Sequence, residues 1–219
     1  MKSRREFLAA ALAMCLAFAA GAAELKEGQD FRAINPPLAA AKDKVEVTEF
    51  FWYGCPHCFD LEPVLAAWVK KLPANASFRR VPVVTANNKW VPAAQLYYTL
   101  EAMNLVEKLH SDVFIAIHVE RRRLEDEKTL LEWVAKKGVD PKKFSEAWSS
   151  PGVQSRIQQA RELSRDSGLA GVPAVMVQGR YLALTQGNYE DLLATVDQLV
   201  ERVRTETGVQ NPGAAMSQA

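Results

Sequence analysis

Cys55 and Cys58 are the residues whose type and spacing point most directly to chemistry. An apolar-periodic segment follows them, which predicts that the pair stands at the start of a helix. Two thiols at this spacing can close a small disulfide ring. The free N–H groups and the partial positive charge of a helix N-terminus favour a thiolate at Cys55, the more exposed position. The pair is therefore predicted to be a redox centre.

Pro56 and His57, between the two cysteines, are expected to tune that centre. A protonated His57 would add a positive charge beside the Cys55 thiolate. Because a stabilised thiolate stabilises the dithiol form, the disulfide becomes a stronger oxidant and passes readily to other thiols.

A structural disulfide and a zinc site are the alternative interpretations of the cysteine pair. Closing a four-residue loop contributes only about 2 kcal/mol before ring strain is subtracted. A zinc site usually needs four ligands, and the only histidines are His57, His110 and His118. The first lies between the cysteines and the other two are eight residues apart, so no metal is expected.

The N-terminal residues 1–22 have the pattern of an export signal. Lys2, Arg4 and Arg5 precede an uncharged apolar run at 7–20, which ends in a small-residue cleavage site. The run is short for a membrane span. Its removal leaves Cys55 and Cys58 as the only cysteines, in a chain bound for an oxidising compartment. General secretion and the twin-arginine route both stay open.

Composition excludes several classes of protein. The 219 residues are 48% hydrophobic and 24% charged, which excludes a mostly disordered chain and a polytopic membrane protein. The formal net charge is +1, or −1 after removal of the signal. This balance argues against a nucleic-acid partner, which would favour a clear basic excess.

The elements that position the cysteines follow from residue patterns. β-branched and aromatic residues predict strands at 44–53, 77–84, 174–177 and 181–184, the last two joined by a tight turn at Gly179. Residues 88–168 are predicted to be helical throughout, with helix starts at Asp140-Pro141 and Ser150-Pro151. A final amphipathic helix is predicted at 189–204. This order predicts an α/β domain interrupted by an all-helical insertion.

Three segments carry a resemblance to a known family. Residues 50–58, FFWYGCPHC, resemble the active site of the DsbA family, bacterial periplasmic thiol:disulfide oxidoreductases of thioredoxin fold. Gly171-Val172-Pro173-Ala174 resembles the loop that carries the cis-proline of that fold, and residues 178–181 resemble the hairpin after it. The 115 residues from Cys58 to Pro173 leave room for the helical insertion of the family. The resemblance covers about residues 25–204.

The resemblance implies a division into domains. Residues 23–87 and 166–206 would form a discontinuous thioredoxin-like domain, with a helical insertion domain at 88–165. Residues 1–22 would be the signal peptide and residues 207–219 a flexible tail.

The resemblance also implies roles for individual residues. Cys55 would be the nucleophile that forms a mixed disulfide with the substrate, and Cys58 the buried resolving thiol. Pro173 would be the cis-proline beside the disulfide. The Val172 backbone would then pair with an extended substrate peptide as an added strand.

Glu49 stands in an apolar strand six residues before the first cysteine. A carboxylate is costly to bury unless it has a partner or stays protonated. Glu46, three residues earlier, points to the opposite face of the strand, so if one of the two acids faces solvent the other should not. An exposed Glu49 is the plainer alternative. The resemblance implies that Glu49 lies beneath the disulfide and assists proton transfer to the resolving cysteine. Lys70 or Lys71 is the expected partner.

The function that the resemblance implies is donation of the Cys55–Cys58 disulfide to exported proteins with free thiols, in the periplasm. A quinone-linked membrane partner of the DsbB type would reoxidise the pair. No metal or organic cofactor is required, and a monomer is expected. The alternatives are a disulfide isomerase or reductase, and a thioredoxin-fold chaperone or metal-delivery module.

Overall fold

The computed structural model describes residues 24–85, 89–184 and 187–209. The predicted signal at 1–22 and most of the predicted tail lie outside these residues. The described part forms one five-stranded sheet with seven helices. Its fold is thioredoxin-like with a helical insertion, as the sequence predicts.

The sheet has the strand order β1-β5-β4-β2-β3. β2 and β3 are parallel, and the other neighbouring pairs are antiparallel. The four predicted strands are present, but the three-residue β1 at the edge was not predicted because so short a strand has no readable periodicity. The bounds are β1 Phe31–Ala33, β2 Val45–Phe51, β3 Ala76–Pro82, β4 Ala174–Val177 and β5 Tyr181–Ala183.

Two helices belong to the thioredoxin-like part, and five consecutive helices lie between β3 and β4. The two are α1 Pro56–Val69 and α7 Tyr189–Thr207. The five are α2 Val91–Ala102, α3 Val106–His118, α4 Glu127–Lys136, α5 Pro141–Trp148 and α6 Pro151–Asp166. Within the described ranges, none of these helices has both the length and the apolar character needed to cross a bilayer.

The predicted helix starts are confirmed by their capping bonds. Asp140 accepts hydrogen bonds from the backbone N–H groups of Lys142 and Lys143, at 2.8 and 3.3 Å. Ser150 Oγ accepts one from Val153 at 3.3 Å. In both helices proline occupies the first turn, where its missing N–H costs no hydrogen bond.

The β4–β5 hairpin turns at Gln178 and Gly179, both with positive φ, +53° and +64°. A Cβ on Gly179 would lie 2.3 Å from the carbonyl oxygen of Leu38. Glycine is therefore required here by conformation and by space. The loop before β4 lies where β2 ends, because β4 runs antiparallel to β2 with Ala174 opposite Phe50.

Candidate active site

Cys55 is placed by a tight turn between β2 and α1. Its N–H donates to the carbonyl of Trp52 at 2.9 Å, and Cys55 is the N-cap residue of α1. No side chain caps this helix start, and no acidic residue lies in its first turn. The N–H groups at the start of α1 are therefore directed at the Cys55 sulfur, as the sequence predicts.

The two thiols are in opposite electrostatic situations. The pKa of Cys55 is lowered to about 6, first by a hydrogen bond from the Cys58 side chain, then by the backbone N–H groups of Cys58 and His57 and the His57 charge, against the opposing effect of burial. The pKa of Cys58 is raised far above the ordinary value by its contact with Cys55 and by burial. At neutral pH the dithiol form therefore holds one thiolate, on Cys55.

The side chains between and beside the cysteines differ in accessibility. Cys58 is fully buried and Cys55 is 7% exposed, whereas Pro56 and His57 are exposed. An incoming sulfur can therefore reach Cys55, whereas Cys58 has no exposed surface.

The Val172–Pro173 peptide bond is cis, as the resemblance predicts. The loop lies directly against the cysteines, because the Cys55 thiol contacts the Val172 carbonyl oxygen at 3.4 Å. A second cis bond, Asn35–Pro36, was not predicted. An open cleft of about 710 Å³ begins at this loop and is lined by His57, Val172, Pro173, Leu182 and Tyr189 among others.

Glu49 is buried, at 1% exposure, and Glu46 on the other parity is partly exposed, so the plainer alternative of an exposed Glu49 is wrong. Burial raises the pKa of Glu49 to about 8, against the lowering effect of the nearby Arg80 charge; Glu62 raises it further. Glu49 is therefore protonated at neutral pH. Its charge would in turn raise the pKa of Cys58.

Arg80 is the partner of Glu49, and the expectation of Lys70 or Lys71 is wrong. Arg80 Nε lies 3.1 Å from Glu49 Oε2, within ion-pair distance, but the N–H direction does not make a hydrogen bond, so the contact is mainly electrostatic. Glu49 and Arg80 are register partners on the parallel strands β2 and β3. The two lysines are exposed just beyond the C-terminal end of α1, which runs back along β2 away from the acid.

Arg80 is shared with a second buried acid, Glu62 of α1. Arg80 Nη2 donates to both oxygens of Glu62, at 3.0 and 3.1 Å. His110 of α3 approaches the same carboxylate, with Nε2 3.3 Å from Oε2. Burial alone would raise the pKa of Glu62, but the His110 and Arg80 contacts outweigh it and lower that pKa.

Tyr53 joins this cluster to the helical insertion. Its hydroxyl lies 2.8 Å from His110 Nδ1, and its carbonyl oxygen lies 2.8 Å from His118 Nε2. His118 also stacks on Phe59, with ring centroids 5.0 Å apart. Both histidines come from α3, so one helix of the insertion fixes the residue two positions before Cys55.

Trp52 and Gly54 complete the turn. Trp52 stacks on Trp90 with centroids 4.7 Å apart and planes within 6°. A Cβ on Gly54 would lie 2.3 Å from the Trp52 ring, so the stack requires glycine at that position. A cavity of about 350 Å³ adjoins this turn on the insertion side, lined by Trp52, Pro92 and Ile117 among others.

Residues beyond the predicted set therefore contribute to the site: Arg80, Glu62, His110 and His118. Glu62 had a readable signal, because it lies four residues after Cys58 and so on the same helix face. The two histidines lie on the apolar stripe of α3, which predicts burial but not a partner. Within the described residues, no group of three or more His, Cys, Asp or Glu side chains is arranged to hold a metal ion.

The sequence matches the model of the DSBA-like thioredoxin domain over residues 70–197, more than half of the chain. The thiol:disulfide interchange protein DsbA of Bordetella parapertussis is 41% identical over 204 residues, covering 91% of this chain and 96% of that protein. The protein of the same name from Burkholderia cepacia is 40% identical over 181 residues, covering 80% and 85%.

Solved structures agree with this relationship. The crystal structure of Pseudomonas aeruginosa DsbA superposes with a TM-score of 0.80 at 33% identity, covering 84% of this chain and 97% of that one. The oxidoreductase NmDsbA1 from Neisseria meningitidis gives a TM-score of 0.76 at 30% identity, covering 85% and 98%. The chain therefore belongs to the DsbA family and is a thiol:disulfide oxidoreductase.

Proposed function

We propose that this protein is a disulfide donor that passes the Cys55–Cys58 disulfide to other proteins. The observation that carries the proposal is the opposite pKa shift of the two thiols, with Cys55 lowered to about 6. A thiolate held by helix N–H groups stabilises the dithiol form, whereas the disulfide receives no such stabilisation. The disulfide is therefore the less favoured form and is given up to a substrate dithiol.

The transfer takes two exchange steps. A substrate thiolate attacks Cys55 Sγ, the Cys55–Cys58 bond breaks, and its electron pair goes to Cys58. A second substrate thiolate then attacks the substrate sulfur of the mixed disulfide, and Cys55 leaves as a thiolate. The substrate dithiol is oxidised and the cysteine pair is reduced, with no metal or organic cofactor.

Glu49 is proposed to supply the proton that Cys58 needs when it leaves. The buried Cys58 sulfur has a strongly raised pKa, so it is unstable as a thiolate. Glu49 is protonated up to about pH 8 because its own pKa is raised to that value. Transfer of its proton to Cys58 leaves a Glu49 carboxylate that faces Arg80, and solvent or the substrate returns the proton in the second step.

The substrate is proposed to bind as an extended segment along the cis loop. Val172 presents its carbonyl beside Cys55, and strand addition to the loop would align a peptide with the sulfur. The cleft that starts at Pro173 continues past Leu182 and Tyr189, which supports a preference for apolar side chains next to the reacting cysteine. Pro56 and His57 form the exposed rim on the other side of that path.

The cellular setting follows from the family and the predicted signal. We propose that the protein acts in the periplasm, on exported proteins with free thiols, and as a monomer. A DsbB-type membrane protein would reoxidise it. Residues 88–165 would act as a cover over the site, which the contacts of His110 and His118 with Tyr53 support.

Single-turnover oxidation of a reduced, unfolded protein with two cysteines tests the proposal. When this substrate is mixed with one equivalent of the oxidised protein and no other oxidant, the substrate thiols should be oxidised and the Cys55–Cys58 pair should be reduced. If the substrate keeps its thiols and the Cys55–Cys58 pair stays oxidised, the protein is not a disulfide donor. As a matched pair, Cys58→Ser should form a stable mixed disulfide with glutathione disulfide, whereas Cys55→Ser should form none because Cys58 is fully buried.

A further inference from the structure

The buried cluster beside the cysteine pair holds more acid than base. Its members come from four elements: Glu49 on β2, Arg80 on β3, Glu62 on α1 and His110 on α3, with the Tyr53 hydroxyl at its edge. One guanidinium, on a side chain that is 15% exposed, faces two buried carboxyl groups. A buried carboxylate without a partner is costly, so the cluster is neutral when one of the two acids keeps a proton. The arrangement of donors decides which acid that is.

The hydrogen-bond direction at His110 follows from its two neighbours. Nε2 faces the Glu62 carboxylate at 3.3 Å, and two lone pairs facing each other would repel, so Nε2 carries the proton. The N–H points off the direct line to the oxygen, and the attraction is therefore mostly electrostatic. Nδ1 is then the acceptor, and the Tyr53 hydroxyl donates to it at 2.8 Å.

The donors are thus distributed unequally between the two acids. Glu62 receives two hydrogen bonds from Arg80 Nη2 and faces the Nε2–H of His110. Among the described residues, the charged partner of Glu49 is Arg80, whose Nε lies 3.1 Å from Oε2 without hydrogen-bond geometry. Hydrogen bonds to the charged form of an acid favour that form, so this distribution favours the charge on Glu62.

We propose that His110 is a positioning residue that holds Glu62 as the ionised member of the cluster and so leaves the shared proton on Glu49. Through His110, the helical insertion takes part in the proton supply of the cysteine pair. This rests on the proposed function, in which that proton passes to Cys58, but the location of the proton can be measured without any turnover.

The other charged and titratable groups around the cluster do not replace His110. Tyr97 of α2 lies near it, with its ring 6.0 Å from that of His110, but burial raises the pKa of Tyr97 above its ordinary value and the hydroxyl stays neutral. Tyr53 is neutral for the same reason, since burial raises its pKa. Cys55 and Cys58 do not titrate in the disulfide form, so the test is made on the oxidised protein.

The test is carboxyl NMR of the purified protein labelled with ¹³Cδ-glutamate. Glu49→Gln and Glu62→Gln each remove one resonance and so assign the two acids. In the wild type at pH 6, Glu49 should resonate as the acid and Glu62 as the carboxylate. In His110→Phe the proton should be shared, so that the Glu49 midpoint falls and the Glu62 midpoint rises, each by about one unit or more.

Two variants separate positioning from a general structural effect. His118→Phe removes the other histidine contact to Tyr53, at its carbonyl, and should leave both carboxyl midpoints in place. His110→Gln keeps an amide N–H that can reach Glu62 and should restore the wild-type proton location. If His110→Phe does not fold, His110→Gln still tests the proposal, because a Glu49 midpoint displaced from that of the wild type would overturn it.

The proposal is overturned if a folded His110→Phe titrates like the wild type, if His110→Gln does not, or if Glu49 of the wild type is already ionised at pH 6. The pH profile of single-turnover oxidation provides the second readout. Its alkaline loss of rate should move to lower pH in His110→Phe and not in His118→Phe. A protein that donates no disulfide at all would refute the proposed function, while the carboxyl midpoints would still decide the role of His110.

Discussion

The thiol of Cys55 lies 3.4 Å from the carbonyl oxygen of Val172, although 117 residues separate the two in the chain. The contact joins the start of α1 to the loop before β4, because both stand at the edge where β2 ends and β4 begins. In the proposed binding mode, a peptide that adds a strand along this loop would lie beside the reactive sulfur.

Cys55 is expected to titrate as a thiolate well below the usual range. In the reduced protein, thiolate absorbance at 240 nm and the rate of alkylation should both be half-maximal near pH 6. His57→Leu should raise this midpoint by no more than about one unit, because the Cys58 thiol and the backbone N–H groups act independently of the imidazole. A midpoint near 9 in the wild type would mean that the helix start does not stabilise the thiolate.

The same pKa shift makes the stability of the reduced protein depend on pH. The pKa of Cys55 is lower in the folded protein than in the unfolded chain, so ionisation of this thiol stabilises the fold. The stabilisation is complete above the unfolded pKa of 9 and is lost as the pH falls through about 6. The reduced form should therefore gain stability relative to the oxidised form as the pH rises across this window, as denaturant titrations of both forms would measure.

Glu49→Gln is expected to stabilise the oxidised protein at neutral and alkaline pH. Burial raises the pKa of Glu49 from 4.5 to about 8. Protonation of Glu49 therefore stabilises the fold at low pH, and this stabilisation is lost as the pH rises through that window. The advantage of the variant should grow over the same range to about 2–4 kcal/mol and then level off. Glu46→Gln, on the same strand but partly exposed, is the control and should not reproduce this gain.

Arg80→Met is expected to be strongly destabilising. It leaves Glu62 and Glu49 buried without the one guanidinium that contacts both, and removing one partner of a buried ion pair costs about 3–5 kcal/mol. Adding Glu62→Gln should recover part of the loss. Urea unfolding of the single and double variants measures this, and equal stability of Arg80→Met and the wild type would show that the cluster is not electrostatically coupled.

Gly54→Ala is expected to separate Trp52 from Trp90. The new Cβ would lie 2.3 Å from the Trp52 ring, so the ring must leave its stacked position. Near-ultraviolet circular dichroism and tryptophan fluorescence should change, and the turn before Cys55 should lose rigidity. Gly152→Ala in α6, where a Cβ meets nothing closer than 4.0 Å, should leave both spectra as they are.

Local signals were sufficient to predict most of the fold. Strand composition, the proline-containing helix starts and the long helical region all have short-range causes, and each is present in the structure. The cis bond at Pro173 was predicted by resemblance, whereas the one at Pro36 had no comparable signal. The edge strand β1 depends on pairing with β5 and has too few residues to be recognised alone.

The partners of Glu49 could not be predicted in the same way. Strand parity indicated only that Glu49 and Glu46 should not both face solvent. Arg80 is the neighbour of Glu49 because β2 and β3 pair in a particular parallel register. The contacts of His110 and His118 with Tyr53 depend on how the insertion packs on the sheet. These relationships are tertiary, and Lys70 and Lys71, the expected partners, are exposed just beyond the C-terminal end of α1.

The redox equilibrium of Cys55–Cys58 in glutathione buffers, followed by tryptophan fluorescence, tests the central claim most directly. A donor of disulfides should show a potential above about −150 mV, because the stabilised thiolate favours the reduced pair. A potential below about −230 mV would mean that the pair prefers the disulfide form. The protein would then be a reductase or would carry an inert disulfide, and the proposal that it donates disulfides would be wrong.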